Sequence, residues 1–283
     1  MMSTDERGTM TLTNGDHISY IKAGAGPVVV LLPGWSQSAA QWRFQIDELS
    51  TDHTVYAVDL RGHGESSDAK GGYRIARLAA DLREFLDDLD LNDITLMGHS
   101  MGVSVIWAYL DHYGPHRIAQ LILVDQAPMV TGKPTWTDED KVTYGCLFPD
   151  AAGLEGFVTA VSATDTVDGH KEIIRGMFTA NVSEDDLAWI ASENLKMPRD
   201  VAADLLWDHS LSDWRDVIAE IDLPTLVVGA EASIFSAESQ RWIAAQNPHA
   251  DVVIFEAEDG GSHFMFFENP ERFNRHVREF LNA

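Results

Sequence analysis

Positive charge and cysteine are both scarce in this chain, and each scarcity excludes a class of function. The 283 residues include 20 Lys and Arg against 45 Asp and Glu, which gives a formal net charge of -25. Nucleic-acid phosphates and anionic membrane surfaces are bound by basic patches, so we expect neither as a partner. The single cysteine, Cys146, excludes an internal disulfide framework and fits a reducing cytoplasm.

Three further features are missing from the sequence. The segment from Met1 to Gly8 is polar and acidic, without the apolar run of a signal peptide or membrane span, so we expect a cytoplasmic protein. No Gly-rich loop has the pattern that cradles flavin or nicotinamide phosphates. No His and carboxylate cluster has metal-ligand spacing, and His63 with Glu65 fits a turn better. Neither a cofactor nor a metal is therefore expected.

Short apolar runs dominate what is present. Residues 14–16, Asn-Gly-Asp, separate two alternating segments, as in a β-hairpin. Further runs read as strands buried on both faces, and amphipathic or apolar helical stretches lie between them. The pattern predicts an α/β fold whose mostly parallel, eight-stranded sheet has helices on both faces. The predicted strands cover residues 11–13, 18–21, 28–32, 55–58, 94–97, 121–124, 226–228 and 252–255.

Between residues 129 and 218 the pattern changes to helices with Gly, Pro, Asp and Ser breaks. We interpret this segment as an inserted helical cap on a core made of residues 1–128 and 219–283. Three of its aromatic residues, Trp136, Trp189 and Trp207, are candidates for the roof of a substrate pocket. Packing inside the cap is the alternative for each of them.

A nucleophile-elbow pattern follows the central strand. Residues 98–102 read Gly-His-Ser-Met-Gly after an apolar run and open a helical stretch. The G-x-S-x-G pattern predicts a strained turn that exposes the Ser100 hydroxyl at the edge of the sheet. Backbone N–H groups at the start of the helix, beginning with Met101, favour negative charge beside that hydroxyl.

Other candidate residues follow the remaining strands, whose carboxyl ends gather at one edge of such a sheet. Gly34 and Trp35 follow the first parallel strand, where the Trp35 N–H could complete an anion-binding pair with Met101; packing is the alternative for the indole. His263 lies in a Gly-rich turn after the last strand, which is the position of the catalytic base in a triad whose chain order is Ser, acid, His. The acid that orients this base is either Asp125 or Glu231.

Together these motifs resemble the α/β-hydrolase superfamily over residues 10–128 and 219–283. Within it the chain looks most like the cofactor-independent 3-hydroxy-4(1H)-quinolone and quinaldine 2,4-dioxygenases. Many superfamily members carry the acid where this chain has Ala232, which favours Asp125. Met101 and Val103 depart from the dioxygenase pattern, which has His and Gly there. The shared residues are Leu31-Leu32-Pro33-Gly34-Trp35, Arg61-Gly62-His63-Gly64, the Ser100 elbow, Asp125 and Ser262-His263-Phe264.

The resemblance implies ring opening of a 2-alkyl-3-hydroxy-4(1H)-quinolone by O2, with release of carbon monoxide and an N-acylanthranilate. His263 with Asp125 would deprotonate the substrate and Ser100 would align it. Trp35, Met101, Gly34 and His99 would form the oxyanion and substrate-binding group. The resemblance further implies a small aromatic substrate and O2 as partners, no cofactor, and a monomer or homodimer.

The same residues also fit a serine hydrolase, in which His263 activates Ser100 for attack on an ester, lactone or amide. The Gly-His-Ser sequence of the elbow at residues 98–100 resembles that of esterases and cofactor-free haloperoxidase-like hydrolases. A binding protein with an idle triad is a third hypothesis. The dioxygenase is the leading prediction, and the hydrolase is its alternative.

Overall fold

The sheet determines where the site lies in this protein. A computed structural model describes residues 6–66 and 69–283, so Met1 to Asp5 of the polar N-terminal segment lie outside the described residues. Eight strands are present in the described chain, and seven lie at the predicted positions. The first was predicted over residues 11–13 but lies earlier, over Glu6–Thr11, because the hairpin turn begins at Leu12. The strand bounds are β1 Glu6–Thr11, β2 His17–Ala23, β3 Val28–Leu32, β4 Thr54–Val58, β5 Ile94–His99, β6 Ile118–Val124, β7 Thr225–Ala230 and β8 Ala250–Phe255.

The strand order across the sheet is β1-β2-β4-β3-β5-β6-β7-β8. β1 and β2 form an antiparallel hairpin around Gly15, whose φ of 85° only glycine adopts readily. β2 is also antiparallel to β4, and every later pair of neighbours is parallel. The predicted mostly parallel, eight-stranded sheet is confirmed.

Helices cover both faces of this sheet, as the long apolar strands require. The first three are α1 Arg43–Leu49, α2 Ile75–Asp88 and α3 Met101–Tyr113. The segment between β6 and β7 adds α4 Asp138–Thr143, α5 Ala151–Ser162, α6 Val167–Ile174, α7 Glu184–Asn194, α8 Arg199–Leu211 and α9 Arg215–Ala219. The last three are α10 Ala237–Ala245, α11 Met265–Glu268 and α12 Pro270–Leu281.

Alternate residues of β3 belong to different cores, because successive side chains of a strand point to opposite faces. Val30 and Leu32 pack in one core with α2 and α3. Val29 and Leu31 pack in the other core with α1 and α12. The sheet is thus buried on both sides, and its functional surface is left to the loops at its carboxyl edge.

The helical segment between β6 and β7 lies where the cap is predicted, and its only pairing between extended residues in the described chain is a single bridge between Thr131 and Phe148. The division of the chain into a core and a cap at residues 128 and 219 remains a prediction. Among the residues that the structure describes, no helix is long and apolar enough to span a membrane.

Candidate active site

The elbow after β5 holds Ser100 in a strained conformation. Ser100 has φ 51° and ψ -126°, a combination that costs a non-glycine residue about 1–3 kcal/mol. Its neighbours must be small: a Cβ on Gly98 would lie 2.7 Å from the Gly102 carbonyl carbon, and one on Gly102 would lie 2.7 Å from the Leu32 carbonyl oxygen. The two glycines therefore let α3 begin directly beneath Ser100.

The two backbone N–H groups predicted to bind an anion belong to Met101 and Trp35. Within the described residues, neither the Met101 N–H nor the Trp35 N–H makes a hydrogen bond. Ser36 has φ 63°, and its N–H donates to His63 Nε2 at 3.1 Å. Gly34 N–H donates to the Gln37 side chain at 2.9 Å. This loop fixes the Trp35 peptide at the end of β3.

His263 and Asp125 form a buried pair at the ends of β8 and β6. The His263 Nδ1–H donates to Asp125 Oδ2 at 2.6 Å, and the two residues are only 2% and 0% exposed. Asp125 has φ 49°, and its N–H donates to the Val228 carbonyl at 2.8 Å. Burial lowers the pKa of His263 and raises the pKa of Asp125, because it penalises the charged form of each. The imidazole is therefore neutral at pH 7 and able to accept a proton at Nε2.

Glu231, the other candidate acid, lies elsewhere. Its side chain is exposed, and its carboxylate accepts a hydrogen bond from the Ala257 N–H at 3.4 Å. The structure therefore brings Asp125, and not Glu231, to the imidazole of His263.

His99 is fully buried beneath the base. Its ring centroid lies 4.5 Å from that of His263. Its Nε2–H donates to the His263 carbonyl oxygen at 2.8 Å, and its Nδ1 lies 3.1 Å from Gln37 Oε1. These contacts hold the turn that carries His263. The sequence analysis predicted instead that His99 contacts the substrate. Burial lowers the pKa of His99 well below its ordinary value, so its ring is neutral.

Ser100 follows His99, whose ring lies 4.5 Å from the ring of His263. Ser100 itself is 8% exposed. In the described part of the chain, no hydrogen bond joins Ser100 Oγ to His263 Nε2. Such bonds are often long before substrate binds.

The chain is similar in sequence and in fold to several known proteins. Residues 27–153 match the family model described as the alpha/beta hydrolase fold. A bromoperoxidase from Bacillus anthracis superposes with a TM-score of 0.87 at 24% identity, covering 98% of this chain and 100% of that one. An esterase from Exiguobacterium antarcticum superposes with a TM-score of 0.88 at 21% identity, with the same coverage.

This chain has the α/β-hydrolase fold.

A curated relative aligns with nearly the whole chain. The non-heme chloroperoxidase CPO-A1 of Kitasatospora aureofaciens is 29% identical over 284 aligned residues, which cover 96% of this chain and 98% of that protein. None of the three proteins named here is a dioxygenase by name.

Helix α8 contacts the loop after β3. The Trp35 indole N–H donates to the Ala202 carbonyl at 2.7 Å, and Arg199 donates to Ser36 Oγ at 2.9 Å. Arg199 is 8% exposed and forms no salt bridge among the described residues. Its guanidinium also donates to the carbonyls of Asn194 and Met197. The sequence analysis missed Arg199, because an isolated arginine in a helical stretch carries no motif.

The turn that carries His263 is attached to the cap and to α11. The His263 N–H donates to the Met177 carbonyl at 3.1 Å. Glu268 accepts hydrogen bonds from the Ser262 hydroxyl and from both the backbone N–H and the hydroxyl of Thr179. Sequence reasoning missed Glu268 and Thr179, which lie 89 positions apart in the chain.

The three tryptophans predicted to roof a pocket make packing contacts or are partly exposed, and their place in a roof stays a prediction. Trp207 is 41% exposed, because α8 buries its opposite face. Trp189 stacks on Phe267 with 5.9 Å between ring centroids. Trp136 packs against Tyr144, at 4.8 Å, and lies beneath the Arg215 guanidinium. Phe235, which the sequence analysis did not select, instead places its ring 5.5 Å from His263.

The side chains that could bind a metal ion are spread through the described chain. Over residues 6–66 and 69–283, no three His, Cys, Asp or Glu side chains converge to hold an ion. His63 is bonded at both ring nitrogens within its turn, to Ser36 and to the Arg61 carbonyl. It links its own turn to the loop after β3.

Proposed function

We propose that this protein is a serine hydrolase that cleaves carboxylic esters, with Ser100 as nucleophile, His263 as base and Asp125 as acid. The observation that carries the proposal is the strained Ser100 at the start of α3, next to a buried His263–Asp125 pair. A hydroxyl needs a neighbouring neutral base to attack a carbonyl, and the base needs its tautomer held. One of the similar proteins named above is an esterase by name and none is a dioxygenase by name, which supports ester cleavage over oxygen insertion.

The proposed reaction begins when His263 Nε2 takes the Ser100 proton as Oγ attacks the ester carbonyl. The oxygen that becomes negative is held by the Trp35 and Met101 N–H groups, which have no other hydrogen bond among the described residues. The protonated imidazole then gives its proton to the departing alcohol, leaving an acyl group on Ser100. Water, activated by the same nitrogen, releases the acid.

Asp125 stabilises the imidazolium formed during both steps and keeps the proton on Nδ1. His99 acts one layer below. By donating to the His263 carbonyl it holds the turn that positions the base. We therefore propose a positioning role for His99 in place of a substrate contact.

The quinolone dioxygenase is the second candidate. The observation that favours it is the acid after β6, at Asp125, together with Ala232 at the usual acid position after β7. In that reaction His263 would deprotonate the 3-hydroxyl group of the substrate, and Ser100 would only align it.

The Ser100→Ala variant distinguishes the hydrolase from the dioxygenase. For the hydrolase, we expect this variant to lose at least about 10³-fold in kcat/KM for a short-chain nitrophenyl ester, because the covalent route is gone. Ser104→Ala is the matched control. Ser104 is buried one turn further along α3, and its hydroxyl has no partner in the described chain.

Oxygen uptake is measured in parallel with a 2-alkyl-3-hydroxy-4(1H)-quinolone in metal-free buffer. Uptake with carbon monoxide release that persists in Ser100→Ala, combined with no ester cleavage by the wild type, would replace the hydrolase by the dioxygenase. Ester cleavage that survives Ser100→Ala unchanged would remove Ser100 as the nucleophile.

A further inference from the structure

The loop after β7 contributes a hydroxyl to the buried acid. Ser233 Oγ donates to Asp125 Oδ2, the same oxygen that accepts the His263 Nδ1–H. Asp125 Oδ1 is buried and has no hydrogen-bond partner among the described residues. One carboxylate oxygen therefore carries both interactions, and Ser233 is the second donor of the site.

The direction of the Ser233 hydrogen bond is fixed by its surroundings. The Phe235 N–H donates to Ser233 Oγ at 3.2 Å. A hydroxyl has a single proton and can accept from others. With the Phe235 N–H occupying an acceptor position, the hydroxyl proton is directed at Asp125, which as a carboxylate can only accept.

The same loop is attached to the turn that carries the base. The Ala232 N–H donates to the Gly261 carbonyl at 2.9 Å, two residues before His263. The Phe235 ring meets the His263 ring nearly edge-on, with an angle of 76° between the planes. The loop after β7 thus contacts the acid through Ser233 and the base through Ala232 and Phe235.

We propose that Ser233 is a positioning residue that holds the Asp125 carboxylate in the orientation that binds the His263 Nδ1–H. This inference rests on the proposed function of His263 as base. The loop that carries the acid in many α/β-hydrolases here carries a hydroxyl instead, and the hydroxyl acts through an acid supplied by β6. Ser233 itself does not contact the reacting atoms.

Loss of the Ser233 hydroxyl should loosen the Asp125 carboxylate and, through it, the His263 imidazole. Asp125 would keep one donor on Oδ2 and could rotate about its side chain, so the imidazole would be held less firmly in its productive orientation. Burial raises the pKa of Asp125 well above its ordinary value, and the Ser233 hydrogen bond opposes that rise. Its removal therefore favours protonation of the pair, and the acidic limb of the rate profile should move to higher pH.

The experiment compares Ser233→Ala, Ser233→Thr and Ser236→Ala with the wild type on a nitrophenyl ester. We expect kcat to fall about tenfold in Ser233→Ala, the usual effect of a lost hydrogen bond to a charged group, with KM within about twofold. The acidic limb should shift upward, and Ser233→Thr should restore both quantities. Ser236 is the matched control, because its hydroxyl in the same loop donates to the Val142 carbonyl.

A second readout does not need turnover. The far-downfield proton resonance of the His263 Nδ1–H, assigned by its loss in Asp125→Asn, is recorded for each variant. It should exchange faster with water in Ser233→Ala and be unchanged in Ser236→Ala. Ser233→Cys, whose thiol is a weak donor, should give an intermediate result and serves if Ser233→Ala does not fold.

The outcomes keep the two proposals apart. Wild-type kcat, pH profile and proton exchange in Ser233→Ala would overturn the role of Ser233. A wild type that cleaves no ester, but whose His263 proton exchanges faster in Ser233→Ala, would overturn the hydrolase while leaving the positioning of Asp125 by Ser233 intact.

Discussion

At the scale of single residues, backbone strain is concentrated where the chemistry is proposed. Ser36, Ser100 and Asp125 all have positive φ values, of 63°, 51° and 49°. Ser100 and Asp125 each lie directly after a parallel strand, and Ser36 lies in the loop that follows β3 at the same carboxyl edge. Strain of this kind persists when surrounding packing holds it.

Ser100→Gly should relieve the strain at the elbow. We expect its free energy of unfolding to exceed that of Ser100→Ala by about 1 kcal/mol, because glycine adopts positive φ without a Cβ clash. Both variants lack the nucleophile, so the comparison isolates the backbone. Chemical denaturation of the two proteins measures the difference, and equal stabilities would mean that the elbow stores no strain.

At the scale of elements, α8 links the helical segment between β6 and β7 to the loop that presents the Trp35 N–H. Arg199 holds Ser36 through its side chain, and Ala202 accepts the Trp35 indole N–H. Burial lowers the pKa of Arg199 to about 10. The guanidinium still keeps its charge at pH 7, and carbonyls and a hydroxyl solvate it.

Arg199→Met should therefore weaken the proposed anion-binding pair. We expect kcat/KM for an ester, and the affinity for a boronic acid that mimics the tetrahedral intermediate, to fall about 10- to 100-fold as the loop loses its orientation. Trp207→Ala, on the exposed face of the same helix, is the control and should stay within about twofold. Loss in both variants would point to general damage to α8. Wild-type values in Arg199→Met would show that Arg199 does not orient the loop that presents the Trp35 N–H.

At the scale of the whole molecule, buried histidines make stability depend on pH. Burial lowers the pKa of His63 and His170 to about 4 and that of His209 to about 3. The unfolded chain binds protons below about pH 6.5, where these buried rings do not. Their contribution to stability is therefore full above pH 6.5 and is lost as pH falls toward 4.

His209→Gln should reduce this acid sensitivity. Between pH 7 and pH 5, we expect its free energy of unfolding to fall about 2 kcal/mol less than that of the wild type, because one buried proton acceptor is gone. His112→Gln is the control, since His112 is exposed on α3. Denaturant unfolding at the two pH values gives the comparison, and identical losses in His209→Gln and the wild type would contradict it.

Most of the fold followed from the sequence, because its signals are local. Apolar runs such as Val28–Leu32 specify strands buried on both faces, and the glycines around Ser100 specify the turn that α3 requires. These preferences need only a few neighbouring residues. The elbow, the Gly-rich turn of His263 and the eight-stranded sheet could therefore all be predicted from the amino-acid order.

Contacts between distant segments were decided only by the tertiary structure. Asp125 meets His263 across 138 positions, and Ser233 meets Asp125 across 108. No local pattern marks such a pair, because the meeting depends on how β6, β7 and β8 align at one edge of the sheet. The segment between β6 and β7 shows the same limit. Helical periodicity predicted its helices, but only the packed structure shows that α8 buries Arg199 and leaves Trp207 exposed.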